Sequence, residues 1–149
     1  MRRSVLVAAA ILLGATAVVA QQAEIEQSHA LMKANGKNLG GVLSPMARGD
    51  KPYDQAAINA ALAQLDETAK KLPSLYPASV KTVKQTSEYT PSPKIWDDRP
   101  GFDTAIAAFG KAVTEAKSKI KDVDSLKATL PTIGKSCSGC HETFRVKNS

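Results

Sequence analysis

Two thiols and an imidazole stand together near the C-terminus, in the run Cys137-Ser138-Gly139-Cys140-His141. Cys137 and Cys140 are the chain's 2 cysteines, and His141 is one of its 2 histidines. A Cys-x-x-Cys-His run is the attachment pattern of c-type haem. Its spacing has a mechanical reason. On a helix, positions i, i+3 and i+4 share a face, so both thiols can form thioethers to the two vinyl groups of one haem while the His141 imidazole turns to the iron. Small residues at 138 and 139 are expected to let the macrocycle lie close against the backbone. The expectation is one covalently bound haem c (iron) per chain, with Cys137 and Cys140 as tethers and His141 as the proximal iron ligand. Three plainer readings compete. A thioredoxin-like redox pair belongs at a strand-to-helix junction in a βαβ setting. Zinc takes about four ligands, and the only other histidine, His29, lies far away in sequence. A local disulfide leaves His141 and the apolar surroundings unexplained.

With a haem in place, function turns on the far side of the iron. A strong sixth ligand favours electron transfer, and an open position admits small gases. Met32 is the first candidate distal ligand, because a thioether is a soft ligand that raises the potential. His29, nearly one turn earlier, is the alternative, and a site with no protein ligand is the third. Met46 stands a further fourteen residues on, about 21 Å along a helix, so it and Met32 cannot face one iron. The chain has no Gly-rich phosphate loop, no paired-His zinc helix and no histidine set for a nucleophilic triad, so no catalytic residues and no enzyme activity are expected. Carboxylates such as Asp66, Glu67, Asp97, Asp98, Asp122 and Asp124 read as helix caps and solvated surface.

The elements that must position these groups read as helices. Ile25, Met32, Leu39 and Met46 recur every seven residues until Gly49-Asp50-Lys51-Pro52 stops the first segment. The second starts near Asp54 and carries Ile58, Leu62, Leu65, Ala69 and Leu72 at alternating steps of four and three, up to Pro73. Phe102, Ile106, Phe109, Val113, Ala116 and Ile120 make the third stripe. Leu126, Leu130, Ile133, Cys137, Cys140 and Phe144 make the fourth, so both cysteines lie on its apolar side. No alternating run marks a strand. The fold expected is all-α, an antiparallel four-helix bundle. Between helices two and three runs a long crossover rich in proline, with a helical turn near Ala78 to Thr86. In it, Trp96 is read as an apolar plug pinning the loop to the bundle. Pro131 should kink or restart the fourth helix.

The chain has 149 residues, enough for one compact domain, with 43% apolar and 23% charged residues and a formal net charge of +6. Met1-Arg2-Arg3 followed by the apolar run Val5 to Val19, with Val18-Val19-Ala20 before Gln21, reads as a cleaved secretory signal over residues 1–20. The run is shorter than the roughly 20 residues that span a bilayer. Residues 21–149 are then expected to work in an oxidising compartment such as the periplasm, without a membrane anchor. Without Arg2 and Arg3 the balance is 18 basic against 14 acidic side chains. This mild excess argues against nucleic-acid binding and suits redox partner proteins with acidic docking surfaces, with Lys135 and Lys147 as candidate steering charges. Monomer and homodimer both remain open.

These residues resemble the class II cytochromes c, the cytochrome c′ and cytochrome c-556 group, over most of residues 21–149. The resemblance is carried by Cys137 to Arg145, by Pro93-Lys94-Ile95-Trp96 and by Gly49-Asp50-Lys51-Pro52-Tyr53-Asp54. Leu31-Met32-Lys33-Ala34-Asn35-Gly36 and Lys121 to Lys127 are most similar to the cytochrome c-556 branch. It implies a haem four-helix bundle and a low-spin electron carrier whose axial ligands map onto His141 and Met32. It also implies that Arg145 packs beside the haem or its propionates. Cytochromes c′ commonly carry an Arg seven residues before this Met, where this chain has Ile25, and their bulky distal residue falls about where His29 stands. The departure at Ile25 disfavours the alternative function, a five-coordinate haem protein binding nitric oxide or carbon monoxide. The signal reading makes a direct prediction: the exported protein should begin at Gln21 on N-terminal sequencing or intact-mass measurement, and an N-terminus at Met1 would overturn it.

Overall fold

The computed structural model describes residues 21–85 and 87–148, so the expected signal segment lies outside the described residues. The described part of helix α1 covers residues 21–48 and includes a π-helical stretch, Leu39–Leu43, before its last turn, Ser44–Arg48. Gly49 ends it at φ 84°, a left-handed conformation that residues with a Cβ avoid. Helix α2 (Gln55–Lys71) is capped by Asp54, whose carboxylate accepts from the Ala57 amide at 3.0 Å. The α-helical run ends just before Pro73 and passes into a 3₁₀ turn, Leu72–Leu75. The crossover continues through a second 3₁₀ turn (Ala78–Thr82), strand β1 (Tyr89–Pro91) and the short helix α3 (Lys94–Asp97). Helix α4 (Arg99–Lys119) starts three residues earlier than the hydrophobic stripe suggested, because Asp98 caps it through the Gly101 amide at 3.0 Å. A Cβ at Gly101 would lie 2.2 Å from that carboxylate, so this cap needs glycine. Helix α5 (Val123–Phe144) opens on a reciprocal capping box between Asp122 and Ser125, and strand β2 (Arg145–Lys147) follows it directly.

The four long helices close into a bundle: α2 packs along α4, α4 along α5, and the π stretch and last turn of α1 bridge α2 and α5. Its core is the seam the four-and-three spacing draws. Leu43, Ile58, Leu62, Leu65, Val113, Leu126 and Ile133 are all 0% exposed, and burying each such side chain is worth about 1.5–3 kcal/mol. A second cluster of Leu72, Leu75, Tyr76, Ile95, Phe102, Ile106 and Phe144 fills the crossover end. Trp96 pins the crossover as expected, its Nε1 donating to Pro77 O at 3.0 Å and its ring standing edge-on to Tyr76. Arg99 adds a second clasp, donating to Tyr76 O at 3.0 Å and Pro73 O at 2.8 Å.

Three expectations are corrected. Strands do occur: β1 and β2 pair antiparallel with Tyr89 opposite Lys147, Thr90 opposite Val146 and Pro91 opposite Arg145. Each is 3 residues long, too short for alternation to show in sequence. Of the two outcomes expected at Pro131, a kink or a restart, the restart does not occur, and α5 continues through it as one helix. Pro131 and Lys127, whose carbonyl loses its amide partner there, are both exposed, so water can take up the freed acceptor. The crossover turn is 3₁₀ and ends at Thr82, short of Thr86.

Among the carboxylates, Asp54, Asp98 and Asp122 are caps and Asp66 is an interhelical tie. It accepts from Lys70 at 2.9 Å within α2 and from Lys117 of α4 at 3.0 Å. These hydrogen bonds hold its carboxyl below the usual carboxylate range. The unfolded chain therefore takes up the proton first, and the stabilisation is present above the ordinary value of about 3.9 and is lost as pH falls through the depressed folded value. Asp66→Asn should lower stability at neutral pH by about 1 kcal/mol or less. In urea denaturation the gap from wild type should close as the pH is taken down through the acid range.

Candidate haem site

The sequence places Cys137, Cys140 and His141 on α5 at i, i+3 and i+4, and the structure turns all three into one cavity of about 410 Å³. That volume lies in the range of small-molecule and cofactor pockets. Cys137 packs against the central core and Cys140 against the crossover cluster, so the cavity sits where the two apolar clusters meet. Both thiols are free and half-buried. Burial pushes each thiol above its ordinary value, and Cys137 adds to the rise at Cys140. For His141 burial comes first, then the nearby Arg145 charge, and together they hold the imidazole below its usual range. A neutral imidazole keeps the lone pair that a metal ion takes.

Helix α1 supplies the facing groups. Met32 and His29 both line the cavity, together with Asn35 and Leu39. His29 also borders a smaller neighbouring pocket of about 160 Å³. Met46 is buried in the central core instead, consistent with its distance along the helix. The walls are largely aromatic and aliphatic, from Leu72, Tyr76, Ile95, Phe102, Ile106, Phe109 and Phe144. Three of these rings meet edge to face, Tyr76 with Phe102 at 5.5 Å and Phe102 with Phe144 at 5.3 Å between centroids. Such contacts give the wall a fixed shape. Two free thiols and an imidazole on one helix face, a thioether and a second imidazole on another, and an apolar cavity between them suit a large planar apolar group carrying a transition metal.

Arg145, the first residue of β2, also lines the cavity, and its guanidinium lies 4.3 Å from the centre of the Tyr89 ring. Tyr89, Thr90 and Pro91 of the opposite strand line it too. Sequence reading missed these ribbon residues because no periodicity marks so short a strand. Ser138 and Gly139 are both exposed and do not line the cavity. Positions i+1 and i+2 point away from the face shared by i, i+3 and i+4.

Comparison with known proteins settles the family. The family described as Cytochrome C′ matches residues 23–145. The chain belongs to the cytochrome c′ family. A cytochrome c-556 of Rhodopseudomonas palustris is 57% identical over 148 residues, covering 99% of both chains. The NMR-validated structure of oxidized R. palustris cytochrome c556 superposes with a TM-score of 0.75 at 56% identity, over 86% of this chain and 99% of that one. Cytochrome c′ from the same organism gives 0.75 at 37% identity, over 85% and 98%. The chain is therefore a class II cytochrome whose covalently attached haem c fits the motif at Cys137 and Cys140.

The cytochrome's cavity wall depends on Phe102, 3% exposed and held edge to face between Tyr76 and Phe144. Phe102→Ala should destabilise the holoprotein by about 3–5 kcal/mol, read as a lowered urea midpoint. A loss under about 1 kcal/mol would show that the haem, not the aromatic stack, holds this wall.

Proposed function

We propose that residues 21–149 form a periplasmic one-electron carrier, exported by residues 1–20, with low-spin haem c ligated by His141 and Met32 and tethered through Cys137 and Cys140. The observation that carries this reading is that His141 of α5 and Met32 of α1 open into one apolar cavity. The high identity to a cytochrome c-556 supports it. Among the described residues no helix is long and apolar enough to cross a membrane.

When bound, the haem supplies a one-electron change at its iron. The chain's part is to hold, orient and shield. Cys137 and Cys140 fix the group to α5, one turn apart, and so set its position along the helix. His141 offers a neutral ring nitrogen from the same face. Met32 offers a soft sulfur from α1, which favours the ferrous state. Phe102, Ile106 and Phe109 keep water from the cavity, and Arg145 stands where it can meet a propionate. No substrate is transformed. Lys135 of α5 is exposed and Lys147 of the ribbon stands 3.7 Å from Glu88 at the surface, and Lys135, unpaired among the described residues, is the stronger charge for steering acidic redox proteins into weak, brief encounters.

The test is the optical spectrum of purified holoprotein beside Met32→Ala. A low-spin spectrum with thioether ligation that the variant loses supports the carrier. A high-spin ferrous form that readily takes up carbon monoxide or nitric oxide overturns it in favour of a gas-binding protein, and a ligation spectrum untouched in Met32→Ala but lost in His29→Ala moves the ligand to His29. Replacing Cys137 and Cys140 together by Ser should remove haem from the denatured polypeptide, seen as loss of the haem mass.

A further inference from the structure

One polar side chain in the cavity wall is not used by the reading above. Asn35, on α1 one turn after Met32, is 7% exposed and lines the cavity among mainly apolar neighbours. A buried amide is costly unless it is hydrogen-bonded, and here one end of it is tied to α2. Thr68, 0% exposed, has its hydroxyl 2.9 Å from Asn35 Oδ1 and 3.2 Å from Gln64 O, and its single proton goes to the nearer acceptor, Asn35 Oδ1. The Thr68 oxygen accepts from Gln64 Nε2 at 3.1 Å, and Gln64 Oε1 accepts from Asn38 Nδ2 at 3.2 Å. Asn38 is anchored in turn by donating to Ala34 O at 3.0 Å. The four side chains therefore donate in one direction, from Asn38 through Gln64 and Thr68 to Asn35, and a chain in one sense reinforces each of its bonds. With Oδ1 held by Thr68, the opposite end of the Asn35 amide, its NH₂ group, is left as the free donor, and among the described residues it has no acceptor.

A leucine at this position would pack α1 against α2 and line an apolar wall without needing a relay. The amide instead gives the cavity one oriented dipole on the α1 side, with its positive end free. We propose that Asn35 is the tuning residue of this cytochrome, a hydrogen-bond donor held by the Thr68–Gln64–Asn38 relay and presented to the α1 face of the haem. Thr68 and Gln64 are positioning residues that act through it. A fixed positive dipole end beside the haem stabilises the state with the extra electron, so it raises the reduction potential. This rests on the electron-carrier reading and deepens it, because a carrier works through its potential.

The test is a spectroelectrochemical titration of the holoprotein and of Asn35→Leu, Asn35→Asp and Thr68→Val, with the spectrum followed through each titration. Asn35→Leu removes the donor and should shift the ferric-to-ferrous ratio at fixed potential about tenfold toward ferric, equivalent to ~59 mV for one electron. Asn35→Asp keeps an oxygen for Thr68 and replaces the donor by an acceptor, so its potential should lie below that of Asn35→Leu. Thr68→Val frees the amide and should shift the potential the same way by less. It stands in if the Asn35 variants fail to fold. A role confined to packing predicts a different order, with the isosteric Asn35→Asp nearest to wild type. An Asn35→Leu potential equal to wild type, or an Asn35→Asp potential above that of Asn35→Leu, overturns the proposal. Failure of the carrier reading shows separately, as a high-spin or Met32-independent wild-type spectrum, while the potentials still report on Asn35.

Discussion

The arrangement depends on one constraint: two thiols and an imidazole are held on one face of one helix, opening into one cavity. At i, i+3 and i+4, Cys137, Cys140 and His141 cannot spread apart, so the rest of the fold has to bring a cavity to them. The bundle does this by splitting its core. The central cluster stops at Cys137, the crossover cluster begins at Cys140, and the gap between them is the cavity. Asp122 caps the start of α5, and the helix continues through Pro131 to these three residues.

The opposite wall comes from α1, whose seven-residue stripe serves two ends. Met46 near its C-terminal end fills the core, and Met32, two heptads earlier, faces the cavity. The π stretch lies between them and shifts the helix's rotation by an extra residue. The crossover, long and rich in proline, is clasped by Trp96 and Arg99, and the aromatic stack of Tyr76, Phe102 and Phe144 grows from that clasp. Loop and cavity wall are thus one unit.

Much of this was legible in the sequence because long-range order here follows local period. Steps of four and three over four segments give the bundle, and Asp54, Gly49 and Pro73 mark the helix ends where they are found. The haem motif was legible because its residue types and spacing carry their own chemistry. The ribbon was hidden because three residues have no readable period, and Asp98 moved the start of α4 because a cap outweighs the first apolar residue of a stripe. Pro131 did not restart the helix, and Lys127, whose carbonyl loses its amide partner, is an exposed residue within reach of water. Asn35 was visible as a polar residue one turn from Met32, but its role depends on Thr68, thirty-three residues away.

The pairing of Tyr89–Pro91 with Arg145–Lys147 has a consequence for how the cavity is assembled. One of its sides is built from two segments far apart in sequence, so that side exists only when the crossover and the strand that follows α5 have come together.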